Sequence, residues 1–265
     1  MTDAKKKYYQ ITSLEKGIRV LELLADQKAL TVSQVAVNLG LNRAASHRFL
    51  ATLKDLGYVE KNEDNRYQLT FRVLEIGMQV VNRSEVRQEA REFMQALAKA
   101  SNETVNLGYW DGKNILHLDK VESCEILRID APLGSKTPAY CTALGKAVLA
   151  HLSAAELDDY LARTRLTRHG PNTIVSRKEL RSELKKIYKN GYALDDEELA
   201  RSLRCVAAPI FDHTGRAAYA LSISAPSMRL PKKKVHQLKI ELMDACRQLS
   251  ARLGYRPWPA KSQQL

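Results

Sequence analysis

The sequence of 265 residues contains few cysteines, and none of the four has the CxxC spacing of a metal or redox motif; they are Cys124, Cys141, Cys205 and Cys246. This usage argues against a structural zinc site and against a disulfide framework, and it fits a reducing compartment. The basic N-terminal run is followed by no apolar segment, so we expect no signal peptide. No uncharged apolar run reaches membrane-spanning length. We therefore expect a cytoplasmic protein without a membrane partner.

Acidic residues are outnumbered, with 30 Asp+Glu against 42 Lys+Arg and a net charge of +12. Such an excess suggests a polyanionic partner. Charge alone does not locate the binding surface, because residues 1–83 carry a net +4 and residues 84–265 a net +8, about equal per residue. The length and the hydrophobic content of 45% allow two modest domains with their own cores.

The N-terminal part has the pattern of a helix-turn-helix. Ser13 can cap a first helix, and Thr31 with Gln34 three residues later predicts a capping box at the start of a second. The second helix is expected to end at Gly40, and Asn42 can cap a third. The predicted inner face of the third helix consists of Ala45, Phe49, Leu53 and Leu56. Two helices joined by a short glycine-containing turn form a helix-turn-helix.

A small β-hairpin is predicted after Gly57, with strands at 58–59 and 67–69 around a polar turn at 62–65. A helix-turn-helix followed by such a hairpin is a winged helix-turn-helix, and its recognition helix presents its N-terminal turns to the major groove. The candidate DNA-binding residues are Thr31, Ser33, Arg43, Ala44, Ser46, His47, Arg48, Lys61 and Arg66. Arg43 and His47 share an outward face, whereas Arg48 and the wing cations suit phosphates. The alternative, a helical hairpin with merely solvated polar residues, explains neither the caps nor the wing.

The remaining chain predicts a helical linker at 71–84 and an α/β domain at 85–255. Strands are predicted at 104–110, 114–121, 125–130, 192–195, 205–211 and 217–224, and helices at 141–152, 154–163, 177–191 and 231–253. This alternation indicates a mixed sheet with helices packed against it.

Candidate catalytic groups in this domain are Cys141 and Cys205 together with His117, His151 and His169. Both cysteines have apolar neighbours, which is typical of a cysteine that acts as a small buried hydrophobe. The acidic run 195–198 has no His or Cys beside it and is interpreted as the polar end of a strand. The Gly-Lys of "ALGKA" lacks the other residues of a P-loop. We therefore predict no enzyme, no metal and no cofactor.

The sequence resembles the IclR family of bacterial transcriptional regulators over about residues 10–255. The resemblance is carried by "SLEKGIRVLELL" with the helix-turn-helix, by "TALGKAVLAHL", and by "GYALDDEELARSLRCVAAPIFDHTGRAAYALSIS". One departure is Ser202, where the family usually has glycine. The resemblance implies an α+β protein with a winged helix-turn-helix at 10–70, the helical linker at 71–84 and a GAF-like α/β effector-binding domain at 85–255.

The resemblance also implies a ligand-responsive, sequence-specific regulator that binds double-stranded operator DNA and a small organic acid, as a homodimer or homotetramer. The family's pocket falls on Ile126, Ile129, Ala143, Leu144, Asp195, Cys205, Ser222 and Ser224. To these we add Arg128, which alternation along strand 125–130 places on the face of Ile126, and whose guanidinium suits a carboxylate.

For the effector, "GLNRAASHRFLATLKDLGYV" and "PAYCTALGKAVLA" resemble the branch that controls breakdown of aromatic acids such as protocatechuate and 4-hydroxybenzoate. In contrast, "ALSIS" resembles the branch that senses glyoxylate and other short acids; an aromatic acid is the favoured prediction. Two other functional classes stay open: a small-molecule enzyme with an N-terminal assembly module, and an architectural DNA-binding protein without an effector. A pocket with convergent polar groups would argue against the second.

Overall fold

The computed structural model describes residues 11–82, 85–126 and 128–256. The chain divides into two compact units, the first ending at residue 83, and each has its own hydrophobic core. Within the described ranges, every helix is too short or too polar to cross a bilayer.

The first unit is a three-helix assembly with a small sheet, followed by a further helix. Its elements are α1 (Thr12–Gln27), β1 (Ala29–Leu30), α2 (Val32–Leu39), α3 (Arg43–Asp55), β2 (Val59–Lys61), β3 (Tyr67–Leu69) and α4 (Phe71–Asn82). The predicted helix-turn-helix and hairpin are confirmed. β3 is the central strand and pairs antiparallel with both β2 and β1. The sequence did not indicate β1, because two residues are too few to show alternation.

Local hydrogen bonds set the turn between α2 and α3 as the sequence predicts. Thr31 Oγ1 accepts the Gln34 backbone N–H, and the Gln34 side chain accepts the Thr31 N–H at 2.9 Å. Gly40 ends α2 with φ +63°, a conformation that favours glycine. Asn42 Oδ1 then accepts the Ala45 N–H at 2.7 Å, and α3 begins.

Two expectations for these helices are wrong in detail. α1 begins at Thr12 without a side-chain cap, so Ser13 lies inside the helix. α3 buries Ser46 and Leu50, while Leu56, predicted on the inner face, is 61% exposed. The inner face is displaced because the Ser46 hydroxyl donates to a backbone carbonyl, that of Asn42, which makes a buried serine acceptable.

The second unit is a six-stranded sheet between two layers of helices. Its elements are α5 (Glu85–Ser101), β4 (Thr104–Trp110), β5 (Asn114–Val121), β6 (Lys136–Pro138), a 3-10 turn (Ala139–Cys141), α6 (Ala143–Leu149), α7 (Ala154–Arg163), α8 (Arg177–Asn190), β7 (Ala193–Asp196), β8 (Leu203–Phe211), β9 (Ala217–Pro226) and α9 (Lys232–Arg252). The strand order is β6-β5-β4-β9-β8-β7. The α+β class is confirmed, but every strand pair is antiparallel, so the predicted mixed sheet is wrong.

The strand predicted at 125–130 is absent from its described residues, 125–126 and 128–130. The outer edge of β5 is instead occupied by β6, which the sequence did not indicate. Beyond β5 the chain turns at Ser123, whose hydroxyl accepts the Glu125 N–H and donates to the Asn102 carbonyl. Alternation in a sequence does not by itself form a strand, because a strand also needs a neighbour to pair with.

The two faces of the sheet have different roles. α5 and α9 pack against one face, on side chains such as Val105, Val206 and Ile223. α6 and α8 cover the other face. Because side chains alternate along a strand, the residues between those core positions point towards α6. They include polar residues, and these form the site described next.

Candidate functional site

Exposed cations lie on α3 and on the hairpin of the first unit. We define the recognition surface as Arg43, Ala44, His47, Arg48, Lys61 and Arg66, all of them exposed. None of the ion pairs within the described residues involves these cations. Their charges are therefore available to phosphates, and the N-terminal turns of α3 offer side chains that can hydrogen-bond to base edges.

Three other residues predicted to bind DNA have different surroundings. Ser46 is fully buried, with its hydroxyl 3.1 Å from the Asn42 carbonyl, so its assignment to DNA binding is wrong. Thr31 is half-buried, and its hydroxyl is engaged with Gln34 in the capping box. Ser33 is exposed on α2.

In the second unit, α6 covers a cavity of about 210 Å³ on the sheet. We call it the sensor cavity; its lining includes seven of the nine residues predicted for the effector: Ile129, Ala143, Leu144, Asp195, Cys205, Ser222 and Ser224. The register of the strands brings three of these residues together on the floor of the cavity, because Ser224 lies opposite Cys205 and Cys205 lies opposite Asp195. These three residues form one row across β9, β8 and β7.

The first turn of α6 forms the wall above this row. Thr142 caps the helix by accepting the Gly145 N–H, and Ala143 and Leu144 line the cavity. A Cβ on Gly145 would lie 2.2 Å from the Ala139 carbonyl oxygen. Only glycine permits this approach of α6 to the 3-10 turn, so Gly145 sets the position of the wall.

Ile126 and Arg128 do not line the sensor cavity, contrary to expectation. Ile126 is fully exposed. The Arg128 guanidinium forms an ion pair with Glu122 at 3.2 Å and is 42% exposed. The prediction for Ile126 came from the family resemblance. That for Arg128 depended on a strand at 125–130, and without that strand alternation does not place its side chain at the cavity.

Three buried polar atoms at the cavity have no hydrogen-bond partner among the described residues: Asp195 Oδ2, Asn106 Oδ1 and His117 Nδ1. The other polar atom of each side chain is engaged. Asp195 Oδ1 accepts the backbone N–H groups of Glu198 at 2.8 Å and Leu199 at 3.3 Å. Asn106 Nδ2 donates to Ser224 Oγ at 3.2 Å, and His117 Nε2 lies 3.3 Å from the Thr137 hydroxyl. An unpaired buried polar atom is costly, so these atoms favour a polar ligand.

Burial dominates the electrostatics of the cavity. It raises the pKa of Asp195 to about 7, against the opposing effect of the backbone hydrogen bonds. It lowers the pKa of His117, which favours the neutral ring. Asp130, at the exposed rim, has a pKa lowered by its hydrogen bond to Lys120. No lysine or arginine is found among the described residues that line the cavity.

Beside the cavity lies a buried ion pair that the sequence analysis missed. Lys146 of α6 is completely buried; its Nζ donates to the Leu194 carbonyl at 2.6 Å and pairs with Glu198. Burial raises the pKa of Glu198. The interpretation of 195–198 as a polar strand end is therefore wrong for Asp195 and Glu198, which are both buried. A lone lysine in the apolar stretch "ALGKAVLA" was the available signal.

Further polar lining residues were not predicted for the cavity: Asn106, Asp130, Ser135, Thr137, Thr142 and His117, the last of which was considered only as a catalytic candidate. Asn106 and His117 could have been found, since each is a polar residue within a predicted apolar strand. The thiols of the lining and its neighbourhood are buried: burial raises the pKa of Cys141 to about 12 and raises that of Cys205 further. Such thiols stay protonated near neutral pH and are poor nucleophiles.

Comparison with known proteins gives the family. The model of the IclR helix-turn-helix domain matches residues 13–63, and that of the C-terminal domain of the bacterial transcriptional regulator IclR matches residues 78–251. The HTH-type transcriptional regulator KdgR of Escherichia coli is 30% identical over 97% of this chain and 98% of KdgR. XynR of the same organism is 32% identical over 92% of this chain and 98% of XynR. The crystal structure of the Thermotoga maritima IclR matches with a TM-score of 0.75 and 31% identity, covering 93% of this chain and 100% of that one.

Proposed function

The chain belongs to the IclR family of bacterial transcriptional regulators, and from that premise we propose that it binds an operator through its recognition surface and a small organic acid in its sensor cavity. As a regulator it acts on the bacterial chromosome, in the cytoplasm. The acid changes the occupancy of the operator.

One observation carries the proposal. A single chain combines a helix-turn-helix whose exposed cations have no ion-pair partner among the described residues with a second unit whose cavity holds three unpartnered buried polar atoms. The first feature suits DNA, whose phosphates attract the cations and whose base edges offer hydrogen-bond donors and acceptors. The second suits a small polar ligand. A ligand-responsive DNA-binding regulator needs both.

An aromatic acid is our proposal for the effector class. It rests on the sequence resemblance and on size, because an apolar cavity of about 150 Å³ can hold benzene, so the 210 Å³ sensor cavity can take one ring with its carboxylate. The names of the relatives KdgR and XynR do not refer to an aromatic compound. Short aliphatic acids such as glyoxylate are therefore tested beside the aromatic ones.

We further propose that the protein forms homodimers through its first unit, and that two such dimers can associate into a tetramer. The support is apolar surface: Leu14 and Ile18 of α1 are 62% and 48% exposed, and Phe71 and Leu74 of α4 are 81% and 54% exposed. Such side chains on consecutive turns of two helices favour burial against a second copy.

The two alternatives are not favoured. An enzyme with an assembly module would need an activated nucleophile or a metal, whereas the thiols at the cavity have raised pKa values and the described residues include no metal-ligating cluster. An architectural DNA-binding protein would have no use for the polar sensor cavity.

The test has two steps. Duplexes that the protein retains from a random pool are sequenced, and one enriched duplex serves as the operator in fluorescence anisotropy. Thermal shift then compares 4-hydroxybenzoate, protocatechuate and glyoxylate, because a ligand of the native state raises the melting temperature. We expect at least one acid both to stabilise the protein and to change its affinity for the duplex. No enriched sequence, or stabilisation without any effect on the duplex, would contradict the proposal.

A further inference from the structure

The floor of the sensor cavity presents a carboxylate to a ligand that we propose to be an acid. Asp195 is completely buried, and its Oδ2 has no partner among the described residues. Two carboxylates that face each other in a buried site cannot both be ionised without a large cost, unless a cation lies between them.

None of the described residues that line the cavity is such a cation. Lys146 on α6 acts electrostatically on Asp195, but its ammonium group is already engaged by Glu198 and by the Leu194 carbonyl. The remaining groups that bear on Asp195 are the thiols of Cys141 and Cys205, which are neutral, and Glu198, which is acidic. His117 on β5 and Asp130 at the rim also line the cavity. Burial lowers the pKa of His117 and so favours its neutral ring, and the Asp130 carboxylate is paired with Lys120.

The hydrogen bonds of Asp195 determine where a proton can reside. Oδ1 accepts two backbone N–H groups, from Glu198 and Leu199. A proton on Oδ1 would displace those bonds, so it binds to Oδ2, the oxygen that has no partner among the described residues, on a side chain that lines the cavity. A protonated Asp195 thereby becomes a hydrogen-bond donor aimed at the ligand.

We propose that Asp195 binds the effector in its protonated form, donating a hydrogen bond from Oδ2 to an oxygen of the effector's carboxylate, so that acid and proton are bound together. The inference rests on the organic-acid effector of the proposed function. The proton comes from solvent and stays on Asp195, while the effector remains ionised; no covalent bond changes. Acids would therefore be sensed more strongly as the pH falls.

The direction of the pH effect follows from the fraction of Asp195 that is protonated. Since only that fraction is competent, the apparent Kd rises as it falls, about tenfold per pH unit above the pKa, which lies at about 7. An uncharged amide of the same acid needs no proton, because an ionised Asp195 accepts its N–H. The affinity for the amide should therefore not fall with rising pH.

The experiment is isothermal titration calorimetry of the full chain with 4-hydroxybenzoate, protocatechuate, glyoxylate and 4-hydroxybenzamide from pH 6 to 8.5. Each titration is repeated in two buffers of different ionisation enthalpy. The difference between the two observed binding enthalpies gives the number of protons taken up per bound ligand. At pH 8 we expect close to one proton per bound acid and none per bound amide. Equal pH profiles for 4-hydroxybenzoate and its amide, or binding of an acid at pH 8 without proton uptake, would overturn the inference.

Asp195→Asn is the matched variant, because its carbonyl can accept the same two N–H groups and its amide donates where the protonated acid would. It should bind the acid with a pH-independent affinity and without proton uptake. His117→Asn tests the other buried titratable group of the lining: loss of uptake in His117→Asn with retention in Asp195→Asn would assign the proton to the histidine and overturn the inference. Circular dichroism checks that both variants are folded. If a variant does not fold, the comparison of acid and amide on the unmodified protein still tests the inference.

The outcomes separate this inference from the proposed function. If none of the three acids binds at any pH, the organic-acid effector is wrong and the inference fails with it. If an acid binds without proton uptake, the effector stands and only the inference fails.

Discussion

Lys146 and Glu198 form an ion pair in which both side chains are almost completely buried, between α6 and the loop that follows β7. The backbone N–H of the same Glu198 donates to Asp195 at the cavity floor. The pair therefore joins the helix that forms the cavity wall to the strand that supplies its acidic group.

Replacing Lys146 with methionine should strongly destabilise the sensor unit. The change leaves the Glu198 carboxylate buried without a cation, and removing one partner of a buried pair costs about 3–5 kcal/mol. Urea unfolding followed by circular dichroism measures the loss. Lys189→Met, on the exposed side of α8, is the control and should stay within about 0.5 kcal/mol of the unmodified protein. Equal stability of the two variants would show that the ion pair contributes little.

The contribution of Asp195 to the stability of the sensor unit should fall as the pH rises from about 4 to above 7, whereas the lowered pKa values of His117 and His151 act in the opposite direction. The folded-state pKa of Asp195 is about 7, against an ordinary value of 3.8, so between these values the folded state holds a proton that the unfolded state has released. Glu198, whose pKa is also raised, acts in the same direction. Asp195→Asn should remove this contribution, so the unfolding free energy of the variant should decline less with rising pH than that of the unmodified protein. Parallel curves for the variant and the unmodified protein, from urea titrations at several pH values, would contradict this assignment.

Arg43→Ala and His47→Ala should each reduce the preference for the operator over scrambled DNA, because both side chains are exposed near the N-terminus of α3. A good base contact contributes about 1–3 kcal/mol of discrimination. Anisotropy titrations with both duplexes at a fixed salt concentration measure the ratio. Arg19→Ala is a matched control, since Arg19 is exposed on α1 and lies outside the recognition surface. An unchanged ratio in both variants would remove α3 from base recognition.

Arg48→Ala should instead weaken binding to both duplexes by a similar factor. A phosphate contact has no sequence information, and its loss should lower the slope of log affinity against log salt by about one. Titrations across a salt series give the slope. An effect confined to the operator would assign Arg48 to a base rather than to the backbone.

Ser202→Gly should stabilise the protein by up to about 1 kcal/mol. Ser202 has φ +61°, a left-handed conformation that costs a residue with a Cβ about 1–2 kcal/mol; the greater freedom of an unfolded glycine offsets part of the gain. The backbone bonds that hold it, including Ser227 N–H to the Ser202 carbonyl, are retained. Thermal melts measure the shift. A lower melting temperature would show that the serine hydroxyl stabilises the loop.

The local features of the fold were predictable from sequence, whereas those that depend on tertiary packing were not. The Thr31 capping box and the Asn42 cap involve neighbours three residues apart, so the sequence contains both partners. The strand at 125–130 was wrong because alternation within a segment does not specify a pairing partner, and at its outer edge β5 pairs with β6 instead. The role of Lys146 depends on a partner 52 residues away, and no spacing rule relates the two.

Some residues of the candidate site were likewise predictable from the sequence and others were not. The resemblance located the floor residues Cys205, Ser222 and Ser224, which lie on regular strands. It failed at Ile126, and the prediction from alternation failed at Arg128, because the chain leaves the sheet here and Arg128 forms a surface ion pair. Ser46 was predicted on the outer face of α3 because serine is polar. A serine whose hydroxyl donates to a carbonyl of the preceding turn can, however, be buried like an apolar residue.

The row formed by Asp195, Cys205 and Ser224 has a consequence for how such regulators diversify. Along each strand the adjacent residues, such as Val206 and Ile223, belong to the opposite core beneath α5 and α9. Evolution can therefore exchange one row of side chains to recognise a new metabolite, while the alternate positions preserve the scaffold. The sheet separates chemical specificity from structural integrity residue by residue, so a change of effector does not require a change of fold.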